Sequence, residues 1–162
     1  MLGKECAALV CLMLFTACEG GVDSPPSEDE DRAILSGTLE AIRVEDKLAT
    51  VPLDTRLLPA HPDGGILPPG SDEHVEVPDS PLLREIASRS KQVQLIERSH
   101  IYSAELVVSL GVPVRTSATS ADVHVALSNP AEAHVTYWRY SMTRGGDGVW
   151  RLAGREYLSA EG

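Results

Sequence analysis

Cysteine is scarce in this chain of 162 residues: Cys6, Cys11 and Cys18 are the only three, all in the N-terminal segment. A disulfide framework is therefore excluded for the rest of the chain, whose fold has to rest on a packed core. Aromatic residues make up 4% of the sequence, with one phenylalanine, and most of them lie near the C-terminus. Long apolar runs are missing too. The run CAALVCLMLF, residues 6–15, has 10 residues, about half of the roughly 20 that a membrane-spanning helix needs. Basic residues number 14 against 24 acidic ones, for a net charge of −10. Such a chain lacks the electrostatic footprint for nucleic acid phosphates, so nucleic acid is excluded as a partner. The charge is uneven: residues 1–81 carry a net −11 and residues 82–162 a net +1.

What is present begins at the N-terminus. Met1 to Glu5 carry one lysine, the apolar run follows, and Thr16 and Ala17 are small. A run of this length between such flanks reads as the hydrophobic part of a secretory signal. Its end, Phe15-Thr16-Ala17-Cys18, resembles the lipobox of bacterial lipoproteins. The resemblance implies that the signal, residues 1–17, is removed and that the Cys18 thiol carries a diacylglyceryl group. The lipid bilayer would then be a partner, and the domain would sit in the cell envelope, facing the periplasm or the exterior. Cysteine arithmetic agrees with this reading. Without Cys6 and Cys11 a secreted chain would keep one unpaired thiol, whereas a thioether to lipid leaves none.

Behind Cys18, EGGVDSPPSEDEDR combines glycine, proline, serine and six acidic residues with a single large apolar side chain, Val22. Such a composition cannot bury enough surface to order itself, so residues 18–33 read as an acidic disordered tether. Its EDED stretch reads as solvated, with no binding role. Residues 34–160 are enough for one domain with a modest core.

The spacing Leu35, Leu39, Ile42 predicts a helix, interrupted by Gly37. KLATVPLDTRLL, residues 47–58, reads as a strand, and Pro52 asks for an edge position or a bulge because it cannot donate to a ladder. HPDGGILPPGSDEH, rich in glycine and proline, reads as a loop. Ser80-Pro81 opens a second helix with Leu82, Leu83 and Ile86 on its apolar face. Strands are expected at 93–97 and 105–110. ADVHVAL alternates, with Val123, Val125 and Leu127 on one face and Asp122, His124 and Ala126 on the other. Residues 121–158 then read as a three-stranded antiparallel meander turning at RGGDG, with Thr136, Trp138, Tyr140 and Met142 sharing a core face. The fold class is α+β: a small antiparallel sheet with a C-terminal meander and two short helices. The terminal hairpin resembles that of many small secreted bacterial proteins and of NTF2-like domains. The latter resemblance implies helices arching over the sheet to form a pocket.

Catalytic signatures are missing: no G-x-S-x-G, no P-loop, no G-x-G-x-x-G and no H-E-x-x-H. Ser88 and Lys91 match S-x-x-K, but the companion motifs of penicillin-recognising enzymes are not there, and a solvated helix end explains the match. His74 lies beside Asp72, Glu73 and Glu76 in a polar loop, while His61, His100, His124 and His134 are scattered. His124 reads as exposed beside Asp122. No metal site, catalytic residue or cofactor is implied. The sequence thus points to a lipid-anchored binding or accessory module, more a binder than an enzyme, whose partner is another envelope protein or a small ligand. Tyr137, Arg139 and Arg155, expected opposite the Trp138 face, are its candidate contact residues, since aromatics and arginine are favoured at contact surfaces. A small-ligand carrier or enzyme with an NTF2-like pocket, and a passive structural lipoprotein, are the alternatives.

Overall fold

The computed structural model describes residues 27–59 and 77–161; the signal run, Cys18 and the loop 61–74 lie outside them. Helix α1, Glu28–Glu45, starts inside the stretch assigned above to the tether. The acidic run is a helix start because Ser27 caps it, its hydroxyl accepting the Glu30 N–H at 3.3 Å. Four carboxylates, Glu28 to Asp31, occupy the positive end of the helix dipole. Glu30 and Asp31 also bind Arg115, so part of the EDED stretch has an intramolecular partner. The predicted stripe is buried, with Leu35, Leu39 and Ile42 at most 2% exposed, and Ile34 joins it. Each such side chain contributes about 1.5 to 3 kcal/mol.

Strand β1, Val51–Leu58, is followed by α2, Pro81–Arg89, and β2, Val93–Ile96. Ser80 caps α2 by accepting the Leu83 N–H at 3.4 Å, and Pro81 fits the first turn. β2 returns parallel to β1, and β3, Val107–Gly111, is parallel to β1 on its other side. β1 is therefore interior, so Pro52 does not take an edge position, and it pairs in register with Gln94 of β2. Pairing of β1 with β3 is irregular between Leu53 and Leu57, after the proline. β4, Val114–Ser117, β5, Ser120–Asn129, β6, His134–Arg144, and β7, Trp150–Glu161, complete the strands.

Among the described residues these make a mostly antiparallel, seven-stranded sheet in the order β2-β1-β3-β5-β6-β7, with β4 beside the start of β5. The expected meander is β5-β6-β7. Gly148, with φ of +79°, closes the turn before β7. Both helices pack on one face, over Leu53, Val108, Leu110, Val123, Val125, Tyr140 and Met142. That core fills the space beneath the helices. Among the described residues no helix is long and apolar enough to cross a membrane.

Gly37 does more than weaken α1. A Cβ there would stand 2.7 Å from the Trp150 carbonyl oxygen, so the missing side chain lets α1 lie against β7. Gly37→Ala is expected to lower stability by about 1 to 3 kcal/mol despite the better helix propensity of alanine, because the clash is with backbone. Urea unfolding of the two chains checks this.

Candidate ligand-binding cavity

The sheet face away from the helices carries Asp54, Ser109, His124, Ala126, Ser128 and Tyr137, all at most 7% exposed. The alternation read in β5 places His124 there, yet it is 5% exposed, against the expectation of exposure. Neither ring nitrogen has a hydrogen-bond partner among the described residues. Burial holds the imidazole below its ordinary pKa of 6.5; Arg139, its cross-strand neighbour, acts the same way, and Asp122 opposes them.

Tyr137, Arg139 and Arg155 do not form one surface. Tyr137 is 5% exposed, and burial and the nearby Glu161 carboxylate keep its hydroxyl protonated, pushed up to about 12. Arg139 is half-buried and bound to Glu156 across the β6-β7 ladder. Arg155 is on the helix side, its guanidinium carbon 4.7 Å from the Trp138 ring centre and its Nη1 3.2 Å from Asp46. This corrects the placement expected from alternation. β7 advances two residues, Leu152 to Gly154, while β6 advances one, Met142 to Ser141. The extra residue inverts parity and brings Arg155 beside Tyr140.

A cavity of about 460 Å³ opens on the polar face, at the end where β5 passes into β6. That is within the roughly 300 to 1,000 Å³ of small-molecule sites. Ile101, Val107 and Val135 supply apolar wall, while Arg56, Tyr102, Ser109, Ser128, Asn129 and His134 bring polar side chains to the lining. Asp54, 1% exposed, anchors the floor. Its Oδ1 accepts from the Arg56 backbone N–H at 3.1 Å and from Nε at 3.0 Å, and its Oδ2 accepts from Nη2. The Ser109 hydroxyl donates to Oδ2 at 3.3 Å. Asp54 is thereby saturated, and its hydrogen bonds raise the Arg56 pKa further. The Ser128 hydroxyl and the Asn129 side-chain carbonyl are buried without partners among the described residues. Both atoms are closed to solvent, so their burial without a partner is a desolvation cost carried by the fold. A second hollow, about 640 Å³ between α1 and the β6-β7 turn, is walled by Val44, Val149 and Leu152 and has no comparable set of buried polar groups.

Asp54 and Arg56 escaped the sequence reading. Their signal was an opposite-charge pair two residues apart on one face of an otherwise apolar strand, VPLDTRLL. The S-x-x-K pair shows no activation: Ser88 donates to the Glu85 carbonyl at 2.7 Å, and Lys91 lies beyond the helix end. Among the described residues no group of three or more His, Cys, Asp or Glu converges as a metal site. His61, His74 and the acids around His74 lie outside those residues. No protein-family model matches the chain, and neither does any curated protein or solved structure.

Two outcomes follow from these contacts. Asp54→Ala strands a guanidinium that is 19% exposed and is expected to cost about 3 to 5 kcal/mol. Replacing both partners by leucine costs less, and denaturant titration of the two variants gives the comparison. For His124 the folded pKa is depressed, so its stabilisation is present above the ordinary 6.5 and is lost as pH falls through the lower folded value. His124→Leu should flatten the decline of melting temperature between about pH 7 and about pH 5 relative to the unmutated chain.

Proposed function

We propose that the protein is a lipid-anchored module of a bacterial envelope that holds a small ligand in the cavity on the polar face of its sheet. The observation that carries the ligand-binding reading is the convergence of Arg56, Tyr102 and His134 on one part-apolar hollow. Cys18 behind its apolar run supports the anchor, with the bilayer as the partner of the acylated chain.

The topology also bounds how far the domain stands from a bilayer. α1 begins beside Arg115 and Arg144, at the end of the sheet where β5 starts. The cavity lies at the other end of β5, seven residues on from Ala121 at Ser128, or roughly 23 Å at about 3.3 Å per residue. The chain from Cys18 to Ser27 spans at most about 30 Å when fully extended. An anchored domain would hold its α1 end within about 30 Å of the bilayer, a reach that exceeds the distance to the cavity and lets the domain turn.

A second envelope protein would find a different surface, edge strand β7, where Tyr157 is 52% and Leu158 36% exposed. Two bulges in β7 interrupt the ladder a partner strand would extend, which favours the small ligand. A passive structural lipoprotein would leave the cavity without a ligand.

Metabolic labelling with a clickable fatty acid, followed by membrane fractionation, tests the anchor. Label and membrane association should both vanish in Cys18→Ser. An unmutated chain that is unlabelled and soluble overturns the anchor and leaves a diffusible ligand carrier.

A further inference from the structure

Charge decides what the cavity can hold. Among the described residues its lining has one acidic side chain, Asp54, and one arginine, Arg56, beside His134. Nε and Nη2 of Arg56 donate to the Asp54 oxygens, and Oδ2 also accepts from the Ser109 hydroxyl at 3.3 Å. Asp79, at a β-bridge to Arg56, adds a second carboxylate to the surroundings of the guanidinium. An anion entering the cavity therefore meets an arginine that is already neutralised. A cation meets a carboxylate whose lone pairs are taken. Removing an uncompensated ion from water is expensive, so the cavity disfavours both signs.

The polar groups are unequally placed. The Ser128 hydroxyl and the Asn129 side-chain carbonyl are closed to solvent, and the Ser109 hydroxyl is taken by Asp54. Tyr102, 86% exposed, and His134, also exposed, stand at the wet rim. Arg56 remains for the buried part of a ligand: its side chain is 19% exposed, and its Nη1 makes no hydrogen bond among the described residues. Arginine has donors and no acceptor, so the group that meets it must accept. Ile101, Val107, Pro130, Ala133 and Val135 line the rest with apolar surface, which takes an apolar body.

Building on the small-ligand reading above, we propose that the cavity binds an uncharged, mainly apolar molecule that turns one neutral acceptor, such as an amide or ketone carbonyl, toward Arg56. The apolar body packs on Ile101, Val107 and Val135. Polar groups at its other end stay in water between Tyr102 and His134.

The test uses the full chain in lipid nanodiscs with labelled isoleucine and valine methyls. Benzoate, benzamide and benzamidinium, which share one planar shape and differ in charge, are titrated at about pH 8, where an ordinary imidazole is uncharged. Benzamide is expected to shift the Ile101, Val107 and Val135 methyl resonances at concentrations at least about tenfold below those needed for either ion. Val135→Trp, which fills part of the hollow from a half-buried position, should abolish these shifts. Asp54→Asn removes the charge that neutralises Arg56 and should raise the affinity for benzoate relative to benzamide. Melting temperatures confirm that both variants are folded, and if Asp54→Asn is not, the charge series on the unmutated chain still decides. Benzoate or benzamidinium binding as tightly as benzamide overturns the neutral assignment while the small-ligand reading survives. Shifts that persist in Val135→Trp place the probe elsewhere and overturn it too. Absence of shifts with all three probes also overturns the assignment. If native mass spectrometry of the membrane-extracted chain then finds no co-purifying small molecule, the small-ligand reading falls with it.

Discussion

Strand β5 is paired along its whole length with β6 on one side, and with β4 near its start and β3 near its end on the other, so each of its side chains must take one of two faces. Its alternation decides the character of both. Val123 and Val125 go under the helices and join the aliphatic core. His124, Ala126 and Ser128 go to the other face, where burial of polar atoms is expensive unless they are paired. The division into a filled face and a polar face with a cavity descends from this period of two.

The helix face is settled by aliphatic packing, and the arginines that border it fix geometry more than they stabilise. Arg115 holds the first turn of α1 through Glu30 and Asp31, while Arg155 holds its last turn through Glu45 and Asp46. Partly exposed ion pairs of this kind contribute about 0 to 1 kcal/mol each. Their effect is orientational: α1 is tied to β4 at one end and to β7 at the other, and Gly37 lets its middle approach Trp150. Arg155 additionally covers the Trp138 ring, which Tyr157 meets edge-on at 5.3 Å between ring centres.

On the opposite face one interaction is of a different kind. Asp54 is almost fully buried, and a carboxylate in that position is tolerable only when its lone pairs are occupied. Arg56 and Ser109 occupy them, and in doing so hold a guanidinium still at the floor of the cavity. The NTF2-like resemblance implied a pocket under arching helices. Here an aliphatic core occupies the face the helices cover, the hollow on that side lies at the border of α1 with β7, and the cavity floored by Asp54 opens on the other face.

By itself the sequence determined the local features whose causes lie within a few residues: the capped start of α2 at Ser80-Pro81, the buried stripe of α1, the alternation of β5, and the meander closed by its glycine turn. These follow from capping, helical period and strand period, all of which act over short distances. The beginning of α1 was legible too, as the Ser27-x-x-Glu30 spacing of a capping box, but the acidic composition around it spoke for a tether. Tertiary structure alone decided the rest. Parallel pairing of β1 with β2 and β3 depends on where α2 docks. The bulge after Leu152 leaves no mark in an alternation pattern, yet it moved Arg155 to the face of Trp138, away from Tyr137 and Arg139. The cavity needed four strands, β1, β3, β5 and β6, and the turn at Arg98–Ser103 to meet, bringing Arg56 near Asn129 across more than 70 residues of chain. Such contacts are set by packing of distant segments, which no short window of sequence records.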